Sequence, residues 1–140
     1  MNDALAIPGF DAAEFVTRVL AEDLGEGGDV TSRATIAADA RFTAEMNCRE
    51  PIVVAGIALA EAFFRKLDST VEIERLVEDG NRVEKGRVLL RLSGTARAML
   101  AAERSALNTL QHLSGIATLT RRYVDAIAGT GAIQIGRAHV

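Results

Sequence analysis

The sequence predicts an α+β domain of mixed helices and antiparallel strands over residues 1–114, followed by the opening of a second unit at 115–133. Three observations carry this. Phe42, Ala44, Met46 and Cys48 alternate with Thr43, Glu45 and Asn47, which is the period of a half-buried strand. Further short apolar runs at 52–56, 71–77 and 83–92 are set off by turns rich in Gly, Asp and Asn. Residues 95–114, TARAMLAAERSALNTLQHLS, then make the longest uninterrupted helical pattern, free of Gly and Pro.

Taken in order, Asp11-Ala-Ala-Glu14 has the spacing of a capping box, and Phe15, Val19 and Leu20 follow at helical intervals. This predicts a helix over 11–22. Gly25, Gly27 and Gly28 form a loop leading into Asp29-Val-Thr31. A glycine-rich loop before Asp-x-Thr invites a phosphate-cradling reading, but the dinucleotide and P-loop spacings are absent and no apolar strand precedes it. A tight turn in which Asp29 or Thr31 caps the next segment is the simpler expectation. After the alternating strand, Arg49-Glu50-Pro51 interrupts the chain and 52–56 reads as a second short strand. Residues 57–67 read as a helix carrying Leu59, Phe63, Phe64 and Leu67. A strand over 71–77 leads to Glu78-Asp79-Gly80-Asn81, the most hairpin-like turn, and 83–92 adds strand, turn at Lys85-Gly86, and strand again.

In the long helical stretch, Thr95 is placed as N-cap and Gly115 marks the expected end, with a second helix over 116–128. At about 100° per residue, Ala96, Met99, Leu100, Ala106, Leu107, Leu110 and Leu113 share one arc, and Arg97, Arg104, Asn108 and Gln111 line its edge. Glu103 falls near the middle of the apolar arc. A carboxylate there needs a partner or a polar cavity, because an unpaired buried charge is costly. Either Glu103 is a structural acid paired with an arginine from another element, or the helix lines an anion-binding site.

With 49% hydrophobic and 25% charged residues the chain has ordinary soluble composition and enough apolar mass for a core. A net charge of −3 argues against a general nucleic-acid or anionic-membrane binder. No apolar run is long enough to span a membrane and nothing resembles a signal peptide, so a cytoplasmic protein is the expectation. All basic residues except Lys66 and Lys85 are arginine, a skew that suits carboxylate or phosphate recognition and equally suits a GC-rich genome. Cys48 is the single cysteine, which excludes an intrachain disulfide and predicts a small core residue. His112 lies opposite the apolar arc and is expected at the surface. No His, Asp or Glu group has the spacing of a metal or nucleophile site.

Four segments in succession resemble one family: LAEDLGEGGDVTS (20–32), REPIVVAG (49–56), VEDGNRVEKGRVLLRLSG (77–94) and AERSALNTLQHLSGIATLTRRYVDA (102–126). They look like the amino-terminal region of quinolinate phosphoribosyltransferases, also called carboxylating nicotinate-nucleotide pyrophosphorylases. The first block carries an extra glycine relative to the commoner family form. The resemblance implies an α+β amino-terminal domain (1–114) followed by the first helix of a truncated α/β barrel (115–133), in a homodimer. It implies conversion of quinolinate and phosphoribosyl pyrophosphate to nicotinate mononucleotide, carbon dioxide and pyrophosphate with Mg2+, in NAD biosynthesis. The family's arginine in AERxALN corresponds to Arg104, which would bind a quinolinate carboxylate in the partner subunit's site. Glu103 would then be a structural acid holding the helix in place.

The match departs after Ala132, where the family continues with a Thr-Arg-Lys-Thr motif. Here Gln134-Ile-Gly-Arg-Ala-His-Val140 follows, a stretch (134–140) that looks like translated adapter sequence and is read as a non-native tail. Arg137 falls near the motif's arginine but lacks its neighbours, so no role is carried onto it. The metal-binding acids and catalytic groups implied by the resemblance have no counterparts here, and the chain alone is expected to be inactive. Competing readings are a biotinyl- or lipoyl-like carrier domain, suggested by residues 77–86, a non-catalytic dimerisation module, and a molybdenum-linked paralogue of the same family.

Overall fold

A computed structural model describes residues 7–135. The elements run α1 (Ala12–Leu24), α2 (Val30–Thr35), β1 (Arg41–Asn47), β2 (Ile52–Val53), α3 (Ile57–Leu67), β3 (Glu72–Arg75), β4 (Arg82–Val83), β5 (Val88–Thr95) and α4 (Ala96–Ala126). The α+β class expected from the sequence is the class observed.

Local chemistry explains most boundaries. The Asp11 carboxylate accepts from the backbone N–H groups of Ala13 and Glu14, starting α1 where the capping spacing placed it. Asp29 caps α2 through the Ser32 N–H at 2.9 Å, and its hydrogen bonds to Ser32 hold its carboxyl below the usual range. The loop glycines therefore lead into a capped helix, as the simpler of the two readings required.

The principal sheet is antiparallel in the order β1-β5-β3, with Met46 opposite Leu90 and Ala44 and Ile73 both opposite Leu92. Leu90 and Leu92 are buried, and α3 and α4 supply most of the remaining core through Ile57, Phe63, Met99, Ala106 and Leu110. On the solvent face Arg91 lies between Glu45 and Glu74, bonded to them at 2.9 and 3.1 Å. Both pairs are about half exposed, so each adds little to stability. Phe15 meets Phe63 at a ring-centroid distance of 6.2 Å, setting α1 against α3.

Three expectations are corrected. Gly115 does not end the long helix: α4 runs unbroken for 31 residues, and no second helix begins at 116. A single glycine in a helix interior costs about 1 kcal/mol, far less than breaking a helix held on both sides. The turn at 78–81 does not close a hairpin, because β3 pairs with β5 whereas β4 pairs with β2. Instead the Asp79 carboxylate reaches back to accept from the Gly56 and Ile57 N–H groups, both at 3.0 Å, at the start of α3. Phe42, expected on the buried face, is 36% exposed. It sits near the start of edge strand β1, where an open groove separates it from α4.

Two of these junctions leave little room for a side chain. Gly56 has φ +90°, and a Cβ there would stand 2.6 Å from Leu113 Cδ1. A Cβ on Gly94 would meet Val71 Cγ2 at 3.0 Å and Asp68 Oδ2 at 3.2 Å.

Candidate functional site

The polar stretch of α4 is assembled from its first residue onward. β5 passes directly into α4 at Thr95, which occupies the N-cap position but makes no side-chain cap to the helix. Its N–H and hydroxyl donate to Asp68 Oδ2 at 2.9 and 3.0 Å, while the N–H and hydroxyl of Thr70 donate to Oδ1 at 2.8 and 2.6 Å. Four donors on one buried carboxylate hold it well below the usual aspartate range, with the Thr70 hydroxyl contributing most. The junction between sheet and helix is thereby fixed.

Arg97 is the first residue of the predicted basic edge, and the fold consumes it. Its Nε donates to the Ile36 carbonyl at 2.8 Å and its Nη2 to the Arg33 carbonyl at 3.1 Å, which closes the carboxyl end of α2. Two turns later Ser105, 1% exposed, donates its hydroxyl to the Asp23 carboxylate in the last turn of α1. Further along, the Ser114 hydroxyl accepts from the Ala55 N–H at 3.1 Å. The Thr118 hydroxyl accepts from the Val53 N–H at 2.9 Å, fastening α4 beside β2.

Between these anchors Arg104, Asn108 and Gln111 remain exposed along one side of the helix. None of the ion pairs among the described residues involves Arg104. The guanidinium is therefore presented to solvent by a helix whose ends are held. Such a planar fork can take a carboxylate through two parallel hydrogen bonds and keeps its charge at any working pH.

Glu103 is exposed too, which overturns both its expected burial and its reading as a structural acid paired with an arginine. The buried stripe of α4 runs through Ala96, Met99, Ala102, Ser105, Ala106, Leu110 and Ser114. That is a rotation of roughly 30° from the predicted apolar arc. Small residues face the neighbouring helices, where close approach rewards them. Leu100, Glu103 and Leu107 instead border a groove of about 740 Å³ shared with Phe42, Ala44 and Met46. Ala96, Met99, Ala106 and Leu110 of the predicted arc are in the buried stripe, while Leu100 is exposed and Leu107 and Leu113 are half-buried.

The other candidate residues fall as follows. Cys48 is buried with its thiol donating to the Glu84 carbonyl at 3.0 Å, a packed core residue. His112 is exposed. Arg137, His139 and most of the 134–140 tail lie outside the described residues. Lys85 occupies the turn between β4 and β5, but these strands belong to different sheets, so it does not crown the hairpin a carrier lysine needs. Among the described residues no group of three or more His, Cys, Asp or Glu could hold a metal ion. Nor is any helix among them long and apolar enough to cross a membrane. Asp23, Asp68 and Asp79 carry the anchoring without having been singled out for it, since each acts on backbone or hydroxyl groups distant in sequence.

A family model described as the N-terminal domain of quinolinate phosphoribosyl transferase matches residues 29–114. The chain is 43% identical over 121 residues to quinolinate phosphoribosyltransferase (decarboxylating) 2, mitochondrial, from Nicotiana glauca, covering 86% of this chain and 34% of that protein. It is also 43% identical over 129 residues to nicotinate-nucleotide pyrophosphorylase (carboxylating) from Mycobacterium leprae, covering 88% of this chain and 44% of that one. Among solved structures, the nicotinate-nucleotide pyrophosphorylase from Francisella tularensis superposes with a TM-score of 0.81 at 32% identity, over 92% of this chain and 46% of the other. The enzyme of that name from Ehrlichia chaffeensis also gives 0.81, at 34% identity, over 86% and 44%. The chain thus spans between a third and a half of the length of these relatives.

Proposed function

This chain belongs to the quinolinate phosphoribosyltransferase family, and from that premise we propose that it forms the amino-terminal part of an enzyme of NAD biosynthesis. The reaction takes quinolinate and phosphoribosyl pyrophosphate to nicotinate mononucleotide, carbon dioxide and pyrophosphate. In a homodimer, Arg104 offers its guanidinium to a quinolinate carboxylate bound in the partner subunit's site. Magnesium and the groups that perform the transfer come from the remainder of the enzyme. Residues 115–133 lead toward that remainder, where α/β-barrel elements cover Ile116, Leu119 and Tyr123. The setting is the cytoplasm; several plant relatives are named mitochondrial or chloroplastic, so fractionation of the source cells is the check.

One observation carries this reading. Within the region matched by the family model, Arg104 is an exposed guanidinium on a firmly held helix, joined to no acid among the described residues. Arg97, on the same edge, is occupied by carbonyls of the fold. A diacid needs a cation that is still available, and Arg104 meets that requirement.

In a full-length enzyme carrying this region, Arg104→Ala lowers kcat/KM for quinolinate by the equivalent of about 2–5 kcal/mol, the cost of leaving a desolvated carboxylate unpaired. Arg104→Lys recovers part of it, since the charge returns without the fork. An unchanged specificity constant in Arg104→Ala removes the residue from substrate capture. The 140-residue chain alone makes no nicotinate mononucleotide, and measurable turnover by it refutes the division of the site.

A further inference from the structure

We propose that Asp23 is a positioning residue for Arg104: by accepting the Ser105 hydroxyl it sets the rotation of α4 about its axis, and with it the direction of the neighbouring guanidinium. The inference rests on the reading of Arg104 given above.

Ser105 lies among Ala102 and Ala106 on the buried side of α4, where a hydroxyl without a partner is costly. Its partner, Asp23, stands in the last turn of α1, at the end of the helix where the macrodipole disfavours an acid and where no basic residue compensates. An acid in that place loses local stability, and the bond to Ser105 is what it gains. Between residues 98 and 113 this is also the sole side-chain hydrogen bond α4 makes among the described residues. The rest of the buried stripe there is apolar, and in its middle Ala102 and Ala106 are small enough to let a helix turn slightly in place.

The lever is long. An arginine guanidinium extends to roughly 9 Å from the helix axis, so a rotation of about 20° moves it by about 3 Å. A displacement of about 1 Å is already enough to spoil a productive geometry.

The test uses a full-length enzyme carrying this region, for example the Mycobacterium leprae relative with its corresponding segment replaced. Asp23→Ala and Ser105→Ala each raise the quinolinate KM about three- to tenfold, with the KM for phosphoribosyl pyrophosphate near its starting value. Asp23→Asn, whose amide oxygen still accepts the hydroxyl, restores most of the loss. Added to Arg104→Ala, Asp23→Ala has no further effect on quinolinate KM. Additive losses, or equal losses for both substrates, overturn the proposal by showing a merely structural role. If Arg104→Ala itself leaves quinolinate KM unchanged, the reading of Arg104 fails, and the orienting role is judged by amide hydrogen exchange on the 140-residue chain. There Asp23→Ala speeds exchange at residues 102–108 more than at 96–99, and uniform or absent change overturns it.

Discussion

Residues 96–114 and 115–126 belong to one unbroken helix and meet opposite surroundings. The first part sits on the sheet, α1, α2 and α3, burying Met99, Ala102, Ala106 and Leu110 and spending Arg97 and Ser105 on neighbouring elements. The second leaves Ile116, Leu119 and Tyr123 at 52%, 53% and 59% exposure, held through Thr118 and the Arg82–Asp125 ion pair. Helical periodicity is common to both. What differs is whether another element comes back to cover the apolar face, and only the first part lies inside the residues matched by the family model.

The contrast can be broken most forcefully at Leu110. Leu110→Ala opens a hole in the shared core and costs about 2–5 kcal/mol in denaturant unfolding of the chain; a loss below 1 kcal/mol would show that the first part is less well packed than its burial indicates. Next comes the junction that launches α4. Asp68→Ala costs about 1.5–3 kcal/mol, because Thr95 and Thr70 lose a charged acceptor. Its pH dependence has a fixed sign. The folded carboxyl titrates below the ordinary aspartate value of about 3.9, so its contribution is whole above that value and is lost as the pH falls toward the folded one. The variant's acid-unfolding curve should therefore lose this part of the descent, and an unchanged curve would assign the acid sensitivity elsewhere.

Gly115→Ala sharpens the comparison in the opposite direction. A Cβ there meets nothing within 4 Å, so the substitution stabilises by about 0.5–1 kcal/mol. A loss would mean that the helix bends or is contacted at that point. The smallest effect belongs to the exposed stripe. Leu119→Gln with Tyr123→Gln changes unfolding by no more than about 0.5 kcal/mol, while reducing the self-association expected of so exposed an apolar face. Sedimentation of the parent chain as a clean monomer would contradict that expectation.

Much of this architecture is legible in the sequence. The bounds of α3, the Asp11 cap and the β1 alternation follow from residues adjacent in sequence, and local chemistry is what a sequence displays directly. The pairing of β4 with β2 was hidden, because nothing near Gly80 announces that the chain there serves α3. Glu103 shows the limit of a helical wheel. The wheel locates an apolar arc but cannot say which part of it another element reaches, and here small residues won the closest contacts. Arg104 and Arg97 looked equivalent on the wheel. The AERSALN block distinguished Arg104 by resemblance, and the carbonyls of Arg33 and Ile36 distinguish the two physically.

The Asp79 carboxylate has a consequence for the order of assembly. Two free amide hydrogens at the head of α3 are answered from 22 and 23 residues downstream, across both the helix and β3. A growing chain that has emitted α3 but not yet the 78–81 bend carries a helix open at its positive pole, frayed until the loop closes over it. The bend that follows β3, not α3's own residues, therefore finishes the head of that helix.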